Sequence, residues 1–124
     1  MGRFINLTNH PSPKWSAPQR DAALALGDSI VDLPFPDVPV DADELWLRRM
    51  AGELAARIAP DDTVCVQGEF TLAFPVVAEL QRKGTRCVAA ATERDVVEGQ
   101  DASGATIKTH RFVFRRFREY PRVG

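Results

Sequence analysis

The chain lacks an excess of charge of either sign: 16 lysines and arginines stand against 17 aspartates and glutamates in 124 residues, a net charge of -1. A near-neutral chain of this kind does not coat DNA. Cysteine is scarce. Cys65 and Cys87 both lie in apolar, strand-like runs, and their spacing fits no zinc or redox motif. They read as small buried hydrophobes in a reducing compartment. Long apolar runs are missing too, so nothing approaches a membrane span. Met1-Gly2-Arg3-Phe4 enters a strand without the apolar core of a secretory signal, and Gly2-Arg3 does not read as a lipidation site. The expectation is a cytoplasmic protein with neither a membrane nor a DNA partner. Histidine is limited to His10 and His110. No Ser-His-acid order stands out and no cluster has metal-ligand spacing, so no metal or cofactor is expected. The dinucleotide-binding glycine fingerprint is absent, as is a phosphate-binding loop ending in Gly-Lys-Ser/Thr.

What is present is an alternation of short apolar strands and amphipathic helices across one domain, residues 1–124. Arg3 to Thr8 reads as a strand. Ser16-Ala17-Pro18-Gln19 forms a capping box, and its helix runs through Ala22, Ala23 and Leu26 to Gly27. Ser29 to Asp32 is a second strand. Pro34, Pro36 and Pro39 then exclude both a helix and a central strand, leaving an extended crossover pinned by Phe35 and Val38. Asp41 to Glu44 caps a helix whose buried face is Leu47, Ala51, Leu54, Ala55 and Ile58. Thr63 to Val66 is the third strand, Phe70 to Lys83 the third helix and Thr85 to Ala90 the fourth strand. This order implies a mostly parallel α/β sheet with right-handed crossovers. Beyond it, the turn chemistry of Asp101-Ala102-Ser103-Gly104 and the alternation from Ala105 to Tyr120 predict a C-terminal antiparallel β-hairpin.

Small polar clusters follow three of the strands, where open α/β sheets bind ligands. Thr8, Asn9, His10 and Ser12 follow the first. Here His10 is either a ligand contact and proton donor or a loop histidine bonded to the backbone, and the helix start behind it favours phosphate. Gln67, Gly68, Glu69, Phe70 and Thr71 follow the third strand. Gly68 permits either close approach of a ligand or an ordinary strand-to-helix turn capped by Thr71 or Glu69. Thr92, Glu93 and Arg94 follow the fourth, with Arg94 suited to phosphate or to an ion pair with Glu93 or Glu69. Charge is also uneven along the chain: eight acids face three arginines from Asp32 to Asp62, and six basic residues face Glu119 from Lys108 to Arg122. In the basic segment arginines alternate with Phe112, Phe114, Phe117 and Tyr120. That pattern suits single-stranded nucleic acid. It suits better a core or subunit interface whose rim the arginine stems cover.

These pieces resemble a known family. Leu7-Thr8-Asn9-His10-Pro11 with Trp15, then Gln67-Gly68-Glu69-Phe70-Thr71-Leu72, then Ala91-Thr92-Glu93-Arg94 are similar to the small stand-alone CRISPR-associated proteins of type III systems, which have a CARF-like Rossmann fold. The likeness covers most of residues 3 to 94. It implies a homodimer that binds cyclic oligoadenylate, cyclic tetra-adenylate being the ring expected, across its two-fold axis. Thr8, Asn9, His10, Ser12, Gln67, Gly68, Glu69, Phe70 and Thr71 would hold phosphate and ribose, flanked by Thr92 and Arg94. Some such proteins are ring nucleases that cut the messenger without metal, and others sequester it. For cleavage, His10 would protonate the leaving oxygen, since histidine titrates near neutral pH. Lys14 or Arg94 would stabilise charge. The chain departs from the pattern in having no lysine-rich catalytic patch. Outside this family, the remaining reading is a Rossmann-like protein acting on another nucleotide.

Overall fold

The computed structural model describes residues 2–123. Its elements are β1 (Phe4–Leu7), α1 (Ala17–Leu24), β2 (Ile30–Asp32), α2 (Glu44–Ala56), β3 (Thr63–Val66), α3 (Phe70–Arg82), β4 (Arg86–Gln100) and β5 (Thr106–Glu119). A single 3-10 turn, Ser12–Lys14, lies between β1 and α1. The five strands form one mixed sheet in the order β2-β1-β3-β4-β5. The first four run parallel, and β5 returns antiparallel along β4.

Alternation along β1 explains the layers. Ile5 and Leu7 point to one face, where with Val64 and Val66 of β3 they meet Ala51 and Leu54 of α2 and Leu72, Val76 and Leu80 of α3. Phe4 points to the other face and packs with Cys65, Val88, Trp15, Ala23 of α1 and Phe117 of β5. All four residues of β1 and of β3 are buried, as expected of parallel strands covered on both faces.

Helix ends follow local chemistry. The Ser16 hydroxyl accepts the Gln19 N–H at α1. At α2 the cap is Asp43, which takes the Trp46 N–H at 2.9 Å. Asp41, named in the capping pair from sequence, lies two residues too far upstream to reach it. After α3 the chain turns at Gly84 with φ +86, a left-handed conformation that suits glycine. Phe35 is buried in the core and Val38 packs against it, so the proline crossover is pinned as expected.

The fourth strand corrects the sequence reading. It does not end at Ala90 but continues to Gln100, so Ala91, Thr92, Glu93 and Arg94 lie within a strand. Only Arg86 to Val88 pair with β3. The rest pairs with β5 alone, leaving a two-stranded arm, Thr92–Gln100 against Thr106–Phe114. Nine residues of extended chain give it a length of about 30 Å. At its root Ala91 pairs with Arg116 but Thr92 pairs with Phe114, so Arg115 is an extra residue in a bulge. A bulge bends a strand pair and sharpens its twist.

Candidate functional site

Connections leave β1 in opposite directions: β2 lies on one side of it and β3 on the other. The crevice outside the carboxyl ends of β1 and β3 is therefore the switch point where α/β sheets take ligands. An open cleft of about 900 Å³ lies there. Its floor includes Asn6, Thr8, Asn9, His10, Gln67 and Gly68. One wall is Lys14, Trp15 and the start of α1. The other is the arm, with Thr92, Arg111, Phe112 and Phe114. No aspartate or glutamate is among the residues lining it.

The loop carrying His10 is held by a hydrogen-bonded network built on Asn6, a buried amide in an apolar strand. Such a group needs partners. Its Nδ2 donates to the Asp32 carboxylate and to the His10 carbonyl, both at 2.9 Å, and its Oδ1 accepts the Thr8 hydroxyl at 2.8 Å. The His10 carbonyl also accepts the Trp15 indole N–H at 3.1 Å, while the His10 N–H donates to the Thr8 hydroxyl. Asp32, at the end of β2, accepts the Ser12 N–H and hydroxyl. Arg20 of α1 donates to the Ser12 carbonyl at 2.7 Å. The backbone of His10 is thus fixed from both sides, and the residue itself is exposed at the cleft.

Of the residues expected to bind ligand, the structure brings Thr8, Asn9, His10, Gln67, Gly68 and Thr92 into this cleft together with Lys14. Five others are not among its lining residues. Ser12 is buried against Asp32 and serves the loop. Glu69 caps α3, taking the Thr71 N–H at 2.7 Å as well as the Thr71 hydroxyl. Those hydrogen bonds hold its carboxyl below the usual carboxylate range. The start of α3 thus already has its anion, and Thr71 is the donor that binds it. Phe70 is 87% exposed on the first turn of α3. Arg94 stands on β4, opposite Phe112 in the arm, and makes none of the ion pairs among the described residues. Glu93 instead meets Arg115, which also reaches Asp95.

Other expectations change in the same physical way. A side chain at Gly68 would collide with the Phe35 ring, so the missing Cβ serves packing against the crossover as well as the cleft floor. The start of α1 offers few free donors, because Pro18 has no N–H and the Gln19 N–H is taken by Ser16. Gln67 extends the ladder where β4 leaves β3: its Oε1 accepts the Ala90 N–H at 3.0 Å. Cys65 lines the cleft, but burial pushes its thiol up to about 12 despite the Ala90 N–H nearby, which removes it as a nucleophile at neutral pH. The basic stretch after Lys108 is partly answered within the hairpin, where Lys108 meets Glu98 and Arg115 meets Glu93.

Sequence reasoning missed Asn6, Asp32 and the arm as parts of the site. The signal for Asn6 was present, since a lone amide in Phe-Ile-Asn-Leu asks for buried partners. Phe112 and Arg111 were visible as an alternating pattern, but their placement depends on the bulge at Arg115. Among the described residues no group of three or more His, Cys, Asp or Glu is arranged to hold a metal ion, and no helix is long and apolar enough to cross a membrane. Neither the curated proteins nor the solved structures contain a match to this chain. The family model described as "Uncharacterized protein MJ1673 family" matches residues 2–118. The chain, matched over nearly its whole length, belongs to the MJ1673 family.

Proposed function

We propose that the cleft binds a nucleotide phosphodiester, that the ligand is cyclic oligoadenylate, and that the protein opens this ring without metal as a homodimer of CARF-like, Rossmann-like domains. The observation that carries the reading is the composition of the cleft. It holds Lys14, Arg111 and His10 beside hydroxyl and amide donors, and no acid, in a chain that has more acids than bases. Such a lining favours an anion with hydroxyl groups over a cation or an apolar ligand. The volume suits a ligand larger than a single phosphate. The ring, the dimer and the CRISPR setting rest on the resemblance of Leu7 to Pro11, Gln67 to Leu72 and Ala91 to Arg94.

In this reading the ribose 2′-oxygen attacks its own phosphorus while the bond from phosphorus to the 5′-oxygen breaks. The 2′-hydroxyl proton passes to water, and the leaving 5′-oxygen takes a proton from His10. The products are a 2′,3′-cyclic phosphate and a free 5′-hydroxyl. Lys14 stabilises the charge that grows on the phosphoryl oxygens, and the fixed loop holds the reacting atoms in line. Arg94, outside the cleft lining, is left without a catalytic part. Sequestration without cleavage is the second reading. It is favoured by the absence of a carboxylate or second histidine among the lining residues, which leaves the 2′-hydroxyl with water as its base.

The test is incubation with labelled cyclic tetra-adenylate and cyclic hexa-adenylate in EDTA, following binding and products together. Linear products ending in a cyclic phosphate are expected. His10→Ala should then lower turnover about 100-fold, the size of a lost general acid, with binding nearly unchanged. Tight binding with an intact ring would select sequestration. Binding of neither ring would overturn the reading.

A further inference from the structure

We infer that Phe112 of the arm is a nucleobase-stacking residue, so that the arm reads the base of the ligand while the floor of the cleft holds its phosphate. This rests on the cleft being a nucleotide site.

Three phenylalanines form a stripe along β5. Phe112 and Phe114 share one face of the strand by alternation. The extra residue at Arg115 shifts the phase, so that Phe117 and not Arg116 continues that face. The inner two are spent on packing. Phe117 is buried, with its ring 4.9 Å from Phe4 and 6.1 Å from Trp15. Phe114 is half-buried, 4.9 Å from Phe117. Phe112 is the next in line, and it is 74% exposed on the wall of the cleft. Other apolar residues of the arm, Val96, Val97 and Ile107, are also exposed but do not line the cleft.

The chemistry around Phe112 points to a base. A flat aromatic face at the edge of an acid-free pocket accepts a flat heteroaromatic ring, and Arg111 beside it adds a cation for the attached phosphate. Its cross-strand partner is Arg94, a cation on the same face of the arm as Phe112. Stacking scales with overlapping area, so a purine is preferred to a pyrimidine.

The experiment compares adenosine 5′-monophosphate, uridine 5′-monophosphate and ribose 5-phosphate on the wild type, Phe112→Ala and Phe112→Trp, with cyclic tetra-adenylate as a further ligand. In the wild type the adenine nucleotide should bind about tenfold tighter than ribose 5-phosphate, in the range of one stacked base. Phe112→Ala should erase that difference and leave ribose 5-phosphate affinity unchanged, while Phe112→Trp should keep or enlarge it. An adenine preference that survives Phe112→Ala would overturn the inference and leave the nucleotide site standing. So would an equal loss for both ligands, which would mean that Phe112 only shapes the cleft. If the wild type bound neither the mononucleotides nor the ring, both readings would fall. Thermal melting of each variant checks that the fold is kept.

Discussion

The parallel body and the β4–β5 arm are built on opposite terms. In the body, every residue of β1 and β3 is buried and the helices cover both faces. In the arm, from Thr92 through Phe114, nearly every residue is exposed. The body's strands are three or four residues long, whereas those of the hairpin have 15 and 14. A two-stranded ribbon alone is marginal in water, so the arm depends on its rooted end, where Phe114 and Phe117 join the core. The difference teaches where stability resides and where side chains are left exposed. Burial stabilises the body, and the arm carries side chains, Arg111 and Phe112 among them, that contribute little to folding and are free to meet a ligand.

The contrast is most sharply tested in the core. Leu80→Ala, at a fully buried position of α3, should cost about 2–5 kcal/mol in urea unfolding. A cost below 1 kcal/mol would mean that the body is looser than its packing implies. Next comes Asp62, buried where β3 begins. It accepts hydrogen bonds from the Arg3 guanidinium and from the Ala59 and Arg3 N–H groups. Burial opposes its charge, but those bonds prevail and hold its carboxyl below the usual range. Its contribution is present above the unfolded-state value of about 3.9 and is lost as pH falls through the lower folded one. Asp62→Ala should therefore cost about 1–3 kcal/mol at neutral pH and flatten the acid limb of the stability profile.

Asp32→Ala should cost less, about 1 kcal/mol, because only the loop loses its anchor. Its larger signature should be broadened or shifted NMR signals of His10 with those of the core unmoved. An unchanged His10 spectrum would remove Asp32 from the positioning of the loop. At the small end, Val97→Thr on the arm should stay within about 0.5 kcal/mol of the wild type. Amide exchange gives the same comparison without substitution. Thr92 to Phe114 should exchange well before β1 and β3, and protection of the arm equal to that of β3 would show that a partner covers it.

Much of the body was legible in the sequence. Thr63 to Val66 is strand β3 as read, and the apolar spacing Leu47, Ala51, Leu54, Ala55 does mark the packed face of α2. These signals are local: side-chain period, a capping hydroxyl and a proline lie within a few residues of what they determine. The loop residues Thr8, Asn9 and His10 were equally legible as candidates, because a polar cluster after a buried strand marks where open α/β sheets bind ligands.

What the sequence could not decide is how each polar group is spent. Ser12 answers to Asp32, 20 residues away, and Gln67 to Ala90, 23 residues away. Glu69 could have held a ligand's hydroxyls, but in the folded chain it caps the helix that starts beside it. Arg94 followed an apolar run and so looked like a loop residue, yet β4 continues through it because β5 pairs alongside. Phe112, Phe114 and Phe117 look alike as letters, and only the folded chain, with its bulge at Arg115, buries Phe117 in the core, packs Phe114 against it at the cleft wall and leaves Phe112 exposed there. Local pattern determined the strands, the helices and the candidate loop. Only chain closure, which brings hydrogen-bond partners together from distant positions, decided which side chains are consumed by the fold and which remain to act.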